Sequence, residues 1–418
     1  MNVAKVTGKL KEQIHVFSGK LSCGLPKVAG RFVEEALFGI CARQSLHLSE
    51  WGRSLKEKTS LFKTVDRLSR QLDRHGLWDE ITSKILSMSR KKVGDKTLLI
   101  ADISDLSKPY ARKMEYLSRV RDGSKGELTD GYWTMHVIGG EAGSSEMTPL
   151  YSRLYSAEAP DFESENVEIL KAVRTVCVGV GNKGIWVIDR GGDRRWLYDY
   201  FLDQRLRFII RLKGDRHLVY RGKKILARDL SLRCSLPYVE SLIREESHSE
   251  KRYDIAYGFF PVQLPDIPAD LYMVVITGFG EKPMMLLTNL PQRKKRTVVW
   301  DVVESYLTRW KIEETIRFIK QSYALEDVRV LTYRRLQNMM ALVLAVSYFT
   351  MAYIGLRVKL KAVSSLLLRV SRRIFGVPEF RYYALADGIK ELLRRSNKGP
   401  VRALPDNNSQ YQFHLFNP

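Results

Sequence analysis

Residues that build metal–thiolate or redox centres are scarce in this chain. Its 418 residues include four cysteines, Cys23, Cys41, Cys177 and Cys234, far apart and at no metal-binding or thiol-exchange spacing. Its seven histidines form no ligand pair at helical spacing. A structural zinc is therefore not expected, and a reducing cytoplasm is the expected setting. Acidic residues are also in deficit. Asp plus Glu total 47 against 69 Lys plus Arg, a formal net charge of +22. An excess of that size favours a polyanionic partner, nucleic acid ahead of an acidic membrane surface. The opening MNVAKVTGKLKEQIH lacks the apolar core of a signal peptide. Long uncharged runs are rare too. One, from Asn338 to Leu356, extends over 19 residues, close to the minimum for crossing a bilayer. It contains Asn, Ser, Thr and two Tyr and follows directly on an amphipathic helix, so a buried core helix is expected, and no membrane partner.

Three kinds of pattern follow one another along the chain. Residues 1–90 read as helical. In LSEWGRSLKEKTSLFKTVDRLSRQLDRHG, Leu61, Val65, Leu68 and Leu72 form an apolar stripe, and Lys63, Arg67, Arg70 and Arg74 form a cationic stripe opposite it. Thr59 and Ser60 can cap that helix and Gly76 can end it. A shorter helix precedes it, so the pair reads as a helix-turn-helix unit with its cations available to DNA. From residue 91 to 214 strands predominate: three strands, a helix, a strand, a helix and a strand, as in a mixed α/β sheet flanked by helices. Residues 215–296 lose helical periodicity and read as an inserted β-rich subdomain ending in the basic run QRKKR. Helices return over 297–395. Residues 396–418, polar with Pro and Gly, read as a flexible tail.

Two aspartates stand where apolar strand runs end: Asp102 after Leu98–Ala101, and Asp189 after Ile185–Ile188. Strand ends in open sheets are where ligands and reacting groups gather. The segment SYLTRWKIEETIRFIKQ, from Ser305, reads as one helix. At about 100° per residue, Tyr306, Arg309, Glu313 and Lys320 fall within an arc of about 60°. Ile312, Ile316, Ile319 and Tyr323 form a packing stripe about 80° further round. If Glu313 meets the two aspartates, three carboxylates with no histidine suit hard divalent ions, and the neighbouring cations and hydroxyl suit phosphates.

The spacing Tyr306-x2-Arg309-x3-Glu313-x6-Lys320 resembles the Y-R-E-K motif of bacterial insertion-sequence transposases of the DDE class. ADIS at Asp102 is similar to that family's first-acid strand, although Asp105 in the same ADISDLSK stands as the alternative. IDRGGD followed by RFIIRLKGDR resembles its second-acid strand and the next strand, and PMMLLTNL resembles the end of its inserted β region. The resemblance covers roughly residues 90 to 345. It implies an RNase H-like mixed sheet over 91–214 and 297–395, interrupted by the insertion and preceded by a helical DNA-binding domain. It implies cut-and-paste transposition with two Mg²⁺ (or Mn²⁺) held by Asp102, Asp189 and Glu313, and transposon-end phosphates held by Tyr306, Arg309 and Lys320. The implied partners are double-stranded DNA, as terminal inverted repeats and target, and a second copy in a homodimeric synaptic complex; the implied location is the nucleoid. Such enzymes commonly pass through a DNA hairpin. The insertion has no Trp between Asp215 and Val299, with Trp300 at its edge. A hairpin would thus be stabilised without a Trp from that stretch, or not form. The competing expectations are a non-catalytic DNA-binding protein of transposase descent and a membrane protein built on residues 338–356.

Overall fold

The computed structural model describes residues 3–123, 126–246, 249–354, 381–396 and 399–400. Most of the segment expected as a tail, and residues 355–356 of the apolar run, lie outside the described residues. Five helices open the chain: α1 (Val3–Leu21), α2 (Lys27–Arg43), α3 (Leu48–Leu55), α4 (Leu61–Leu72) and α5 (Leu77–Ser89). Gly76 does not end α4. The chain leaves α4 at Asp73, and Gly76, at φ +74°, instead begins α5. A left-handed backbone is cheap at glycine, which makes the reversal between the two helices possible.

The sheet begins with β1 (Leu98–Ser107), β2 (Ser118–Arg121), β3 (Leu128–Gly140) and β4 (Met147–Tyr155). Next come α6 (Glu165–Val180), β5 (Ile185–Ile188), α7 (Arg195–Asp203) and β6 (Arg207–Arg211). α6 has the local signals of a well-bounded helix: the Ser164 side chain accepts from the Val167 N–H, Glu165 and Glu168 lie in the first turn, and Gly181 closes it at φ +84°. β1 runs antiparallel to β3 and parallel to β5, and β5 runs parallel to β6. With β4 beside β3, the order β4-β3-β1-β5-β6 is the RNase H-like mixed sheet implied by the resemblance. The short strand β2 had no counterpart in the sequence reading.

The insertion holds β7 (His217–Tyr220), β8 (Lys223–Leu226), α8 (Ala227–Ser231), β9 (Tyr238–Glu246), β10 (Ser249–Leu264), β11 (Ile267–Thr277) and β12 (Met284–Thr288). It does not make a sheet of its own. β12 pairs antiparallel with β6, and the sheet continues through β11, β10 and β7 to β8. The helices α9 (Arg296–Thr308), α10 (Trp310–Ser322) and α11 (Tyr333–Tyr348) follow, with a π-helical extension at Phe349–Ile354, and then α12 (Tyr382–Arg395).

The uncharged run is a core element. The stretch Tyr333–Ile354 is long and apolar enough to cross a membrane, but 94% of its apolar window is buried inside the protein. It packs on α2, α5 and β4. Asn338, its odd polar residue, has a structural purpose. Its amide donates to the carbonyls of Leu72 and Arg74, both at 2.8 Å, and its oxygen accepts from the Trp78 N–H at 3.2 Å. One side chain thus satisfies backbone groups left over at the end of α4 and the start of α5, fastening the helical region to the core.

Candidate active site

Strand register builds the site. β1 pairs with β5 through Leu98–Ala101 and Ile185–Ile188, and the last pair is Ala101 with Ile188. β5 pairs with β6 up to Ile188 with Ile210. One residue past these ladders, the three strands present Asp102, Asp189 and Arg211 in a row. β1 itself does not end there. It runs on to Ser107 along β3, so Asp102 is a mid-strand residue, contrary to the strand-end reading. What ends at Asp102 is the parallel pairing. Asp189 caps the following 3₁₀ turn, its Oδ1 accepting from the Gly191 N–H at 2.7 Å.

The expected single helix over Ser305–Gln321 is broken at Arg309, which ends α9 and begins α10. The packing stripe holds: Ile312, Ile316, Ile319 and Tyr323 are all buried. α10 packs on β1 and brings the polar border over the strand edge. Arg309 is only 6% exposed. Its Nη2 donates to Glu313 Oε1 at 3.0 Å, and its Nη1 lies 3.7 Å from Asp102 Oδ2. Its guanidinium sits 5.6 Å from the Tyr306 ring centre. Burial opposes the charge on Arg309, but Tyr306, Asp102, Glu313 and Asp189 together more than offset it. The Arg309 Nε and the Tyr306 hydroxyl are buried without a hydrogen bond of good geometry, although Arg211 lies near enough to act on that hydroxyl.

Asp102 carries the largest perturbation among these acids. Burial pushes its carboxyl up to about 7, and the negative charge of Asp189 adds to the effect. Arg309 and the Ile103 N–H work against the rise, and Glu313 adds slightly to it. Across β3 its partner is His136, whose imidazole is hydrogen-bonded to Ser152 Oγ at 2.9 Å and Thr134 Oγ1 at 3.0 Å. Burial pushes that imidazole down to about 3, so it is neutral and supplies no countercharge.

The alternative acid, Asp105, is engaged elsewhere. It accepts from Ser107 at 3.1 Å, from the Gly123 N–H at 3.3 Å and from Lys320 Nζ at 3.3 Å. Lys320 also reaches Glu326 at 3.5 Å. Asp102, Asp105, Glu313, Arg317 and Lys320 line one groove of about 750 Å³.

Asp102, Asp189 and Glu313 share an electrostatic field, and among the described residues no three His, Cys, Asp or Glu side chains are gathered closely enough to hold a metal ion. Glu313 instead faces Arg309, and its side chain is 49% exposed, free to turn. The cationic stripe of α4 is not uniformly outward either. Arg67 Nη1 bonds Glu35 at 2.5 Å and its Nη2 bonds Glu57 at 2.9 Å, both acids being nearly buried. Lys63 and Arg70 are exposed, with Arg70 paired to Asp66 at 3.0 Å, and Arg74, half-buried, lies beyond the helix end.

Three residues were missed from sequence. Arg211 occupies the same strand-edge position as Asp189 and carried that signal after Phe208–Ile210. Lys108, at the end of β1, donates to the carbonyls of Glu326 at 2.6 Å and Val328 at 2.5 Å, and burial pushes its amine down to about 8. Asp193 is a buried acceptor four residues after Asp189. Nothing local distinguishes these last two from surface residues.

Fold and site together define a mixed α/β protein with an acidic strand edge covered by a helix that brings an arginine, a carboxylate and a lysine. Residues 163–349, a little under half of the chain, match the model of the transposase DDE domain family. That stretch contains Asp189, Tyr306, Arg309, Glu313 and Lys320, whereas Asp102 precedes it. Among solved structures, a cryo-EM structure of piggyBac transposase synaptic complex with hairpin DNA resembles the chain at a TM-score of 0.44 and 11% identity. The likeness covers 94% of this chain and 80% of that one, and at that score it carries no functional argument. No curated protein matches.

Proposed function

We propose that the chain is a DNA transposase of the bacterial insertion-sequence kind, acting on the nucleoid, that cleaves strands at transposon ends and joins the freed 3′ ends to target DNA. The observation that carries this reading is the register that sets Asp102 beside Asp189 at the carboxyl edge of parallel strands, under the α9–α10 junction. Asp102 and Asp189, adjacent hard oxygen donors, fit a divalent cation: burial and then the charge of Asp189 raise the Asp102 pKa, and a cation would offset both. Glu313 joins them by turning away from Arg309. Together the three would hold two Mg²⁺ (or Mn²⁺), which supply Lewis acidity for in-line displacement at phosphorus.

The chain's own residues do the rest. Arg309, released from Glu313, presents a planar fork of donors to a phosphate. Its unpartnered Nε and the Tyr306 hydroxyl are donors without a present acceptor, as a phosphate-binding pocket requires. Lys320, held over the groove by Asp105 and Glu326, adds a second cation. Lys63, Arg70 and Arg74 contribute backbone contacts to the transposon end. Excision is of the cut-and-paste type, with a hairpin either stabilised without a Trp from residues 216–299 or not formed, and two copies pair the two ends.

A second reading, a non-catalytic DNA-binding protein of transposase descent, is favoured by the engagement of Glu313 with Arg309. Nicking of supercoiled plasmid in Mg²⁺ separates the two. The wild-type protein is expected to nick, and Glu313→Gln to lower the rate by at least about 100-fold. Equal nicking by both proteins removes Glu313 from the mechanism; no nicking by the wild type leaves the second reading.

A further inference from the structure

The insertion begins with an unusually cationic stretch. Between Arg211 and Arg233 there are eight Lys or Arg and two Asp. Its centre is the β7–β8 hairpin. His217–Tyr220 pairs with Lys223–Leu226, which leaves a two-residue turn at Arg221-Gly222. Both turn residues have positive φ, +49° and +73°. That is the geometry of the tight turn whose twist matches the flanking strands, and it puts an arginine at the tip where Asn or Gly is usual. The Arg221 guanidinium lies 5.2 Å from the centre of the Tyr220 ring, and Arg221, Lys223 and Lys224 are exposed.

This arm is rigidly mounted. Asp193, buried, accepts from the Lys213 N–H at 2.7 Å, from Arg216 Nε at 2.7 Å and from the Tyr198 hydroxyl at 2.9 Å. The Asp193 carbonyl takes a further bond from Arg216 at 2.8 Å. The Ala227 N–H donates to the Arg216 carbonyl at 2.7 Å and closes the base of the hairpin. One buried carboxylate thus ties the hairpin to the turn that starts at Asp189. β8 is the last strand of the sheet, and lysines on an edge strand discourage strand-to-strand aggregation. That accounts for Lys223 and Lys224, but not for a left-handed arginine at the tip.

We propose that the β7–β8 hairpin is a second nucleic-acid surface, separate from the groove and from α4, which takes the phosphate backbone of duplex DNA running past the Asp189 turn. A two-stranded ribbon with cations at its tip is a shape that follows a DNA groove, and phosphate contacts of this kind fix position rather than sequence. The proposal concerns binding alone and does not depend on catalysis.

The test is fluorescence anisotropy with a labelled random-sequence DNA duplex of about 30 base pairs in EDTA, over a series of salt concentrations. The variant is Arg221→Asn/Lys223→Ala/Lys224→Ala, in which Asn keeps the left-handed turn. The equal-charge control is Lys5→Ala/Lys9→Ala/Lys27→Ala, exposed positions on α1 and α2. Loss of three phosphate contacts lowers the slope of log K against log salt by up to about 2.7. The expected result is that loss in the hairpin variant and little change in the control. An unchanged slope in the hairpin variant, or an equal fall in both, overturns the proposal. Because no metal is present, the outcome is independent of whether Glu313 supports nicking.

Discussion

Replacing Asp102 by Asn in the metal-free protein should make it more stable at neutral pH, even though the change removes an acid proposed to bind metal. Asn retains an oxygen that can accept from the Ile103 N–H, a bond of 2.9 Å, so the local geometry is preserved. The folded carboxyl titrates at about 7, against the ordinary 3.8, chiefly because of burial and then Asp189. A carboxyl whose pKa is raised by folding binds its proton more tightly in the native state, so stability falls as pH rises between the two values. Below pH 3.8 the residue imposes no penalty. Above pH 7 the penalty is complete, and a gap of about three pH units corresponds to about 4 kcal/mol. Urea unfolding in EDTA at pH 5 and pH 8 measures it. Relative to the wild type, Asp102→Asn should gain most of that 4 kcal/mol between these two pH values. Mg²⁺ at pH 8 should then stabilise the wild type and leave the variant unmoved, since an ion that binds only the folded, ionised acid shifts the equilibrium by mass action. An identical pH dependence in the two proteins would refute the account of Asp102 as a crowded, buried carboxyl.

Two further substitutions separate surface charge from structural charge. Arg67→Ala should destabilise by about 1–3 kcal/mol, because it removes one of the two arginines, Arg31 being the other, that pair with the nearly buried Glu35 and Glu57; Lys63→Ala should leave urea stability within about 0.5 kcal/mol and lower the DNA salt slope by about 0.9. Asp193→Asn should cost about 2–4 kcal/mol by weakening the acceptor shared by Arg216, the Lys213 N–H and the Tyr198 hydroxyl. A wild-type urea midpoint for Asp193→Asn would mean that the hairpin is held by its backbone bonds alone.

What could be read from the sequence was local. The run IWVI followed by Asp-Arg-Gly-Gly marks β5 and its turn because a buried strand and a glycine turn each have a composition of their own. The apolar stripe of α10 was legible for the same reason. Register was not, since nothing near Ala101 announces that β5 stops pairing there while β3 continues to Ser107. The continuity of the insertion with the core sheet depends on Leu287 meeting Ile210, residues far apart in the chain with no mark of their partnership. Arg67 was misread because a helical wheel counts only its own helix, and the acids that turn it inward come from Glu35 on α2 and Glu57 after α3. The site combines both kinds of information. The i,i+4 pairing of Arg309 with Glu313 is written in the spacing, but the approach of Arg309 to Asp102 is created by α10 packing on β1. That tertiary contact decides the chemistry. Arg309 is the cation paired with both Asp102 and Glu313, so the group that offsets these two acids in this state is also the group proposed to hold the phosphate. On the proposed function, metal binding and release of Arg309 toward DNA would be two sides of one exchange, a link that the motif by itself does not carry.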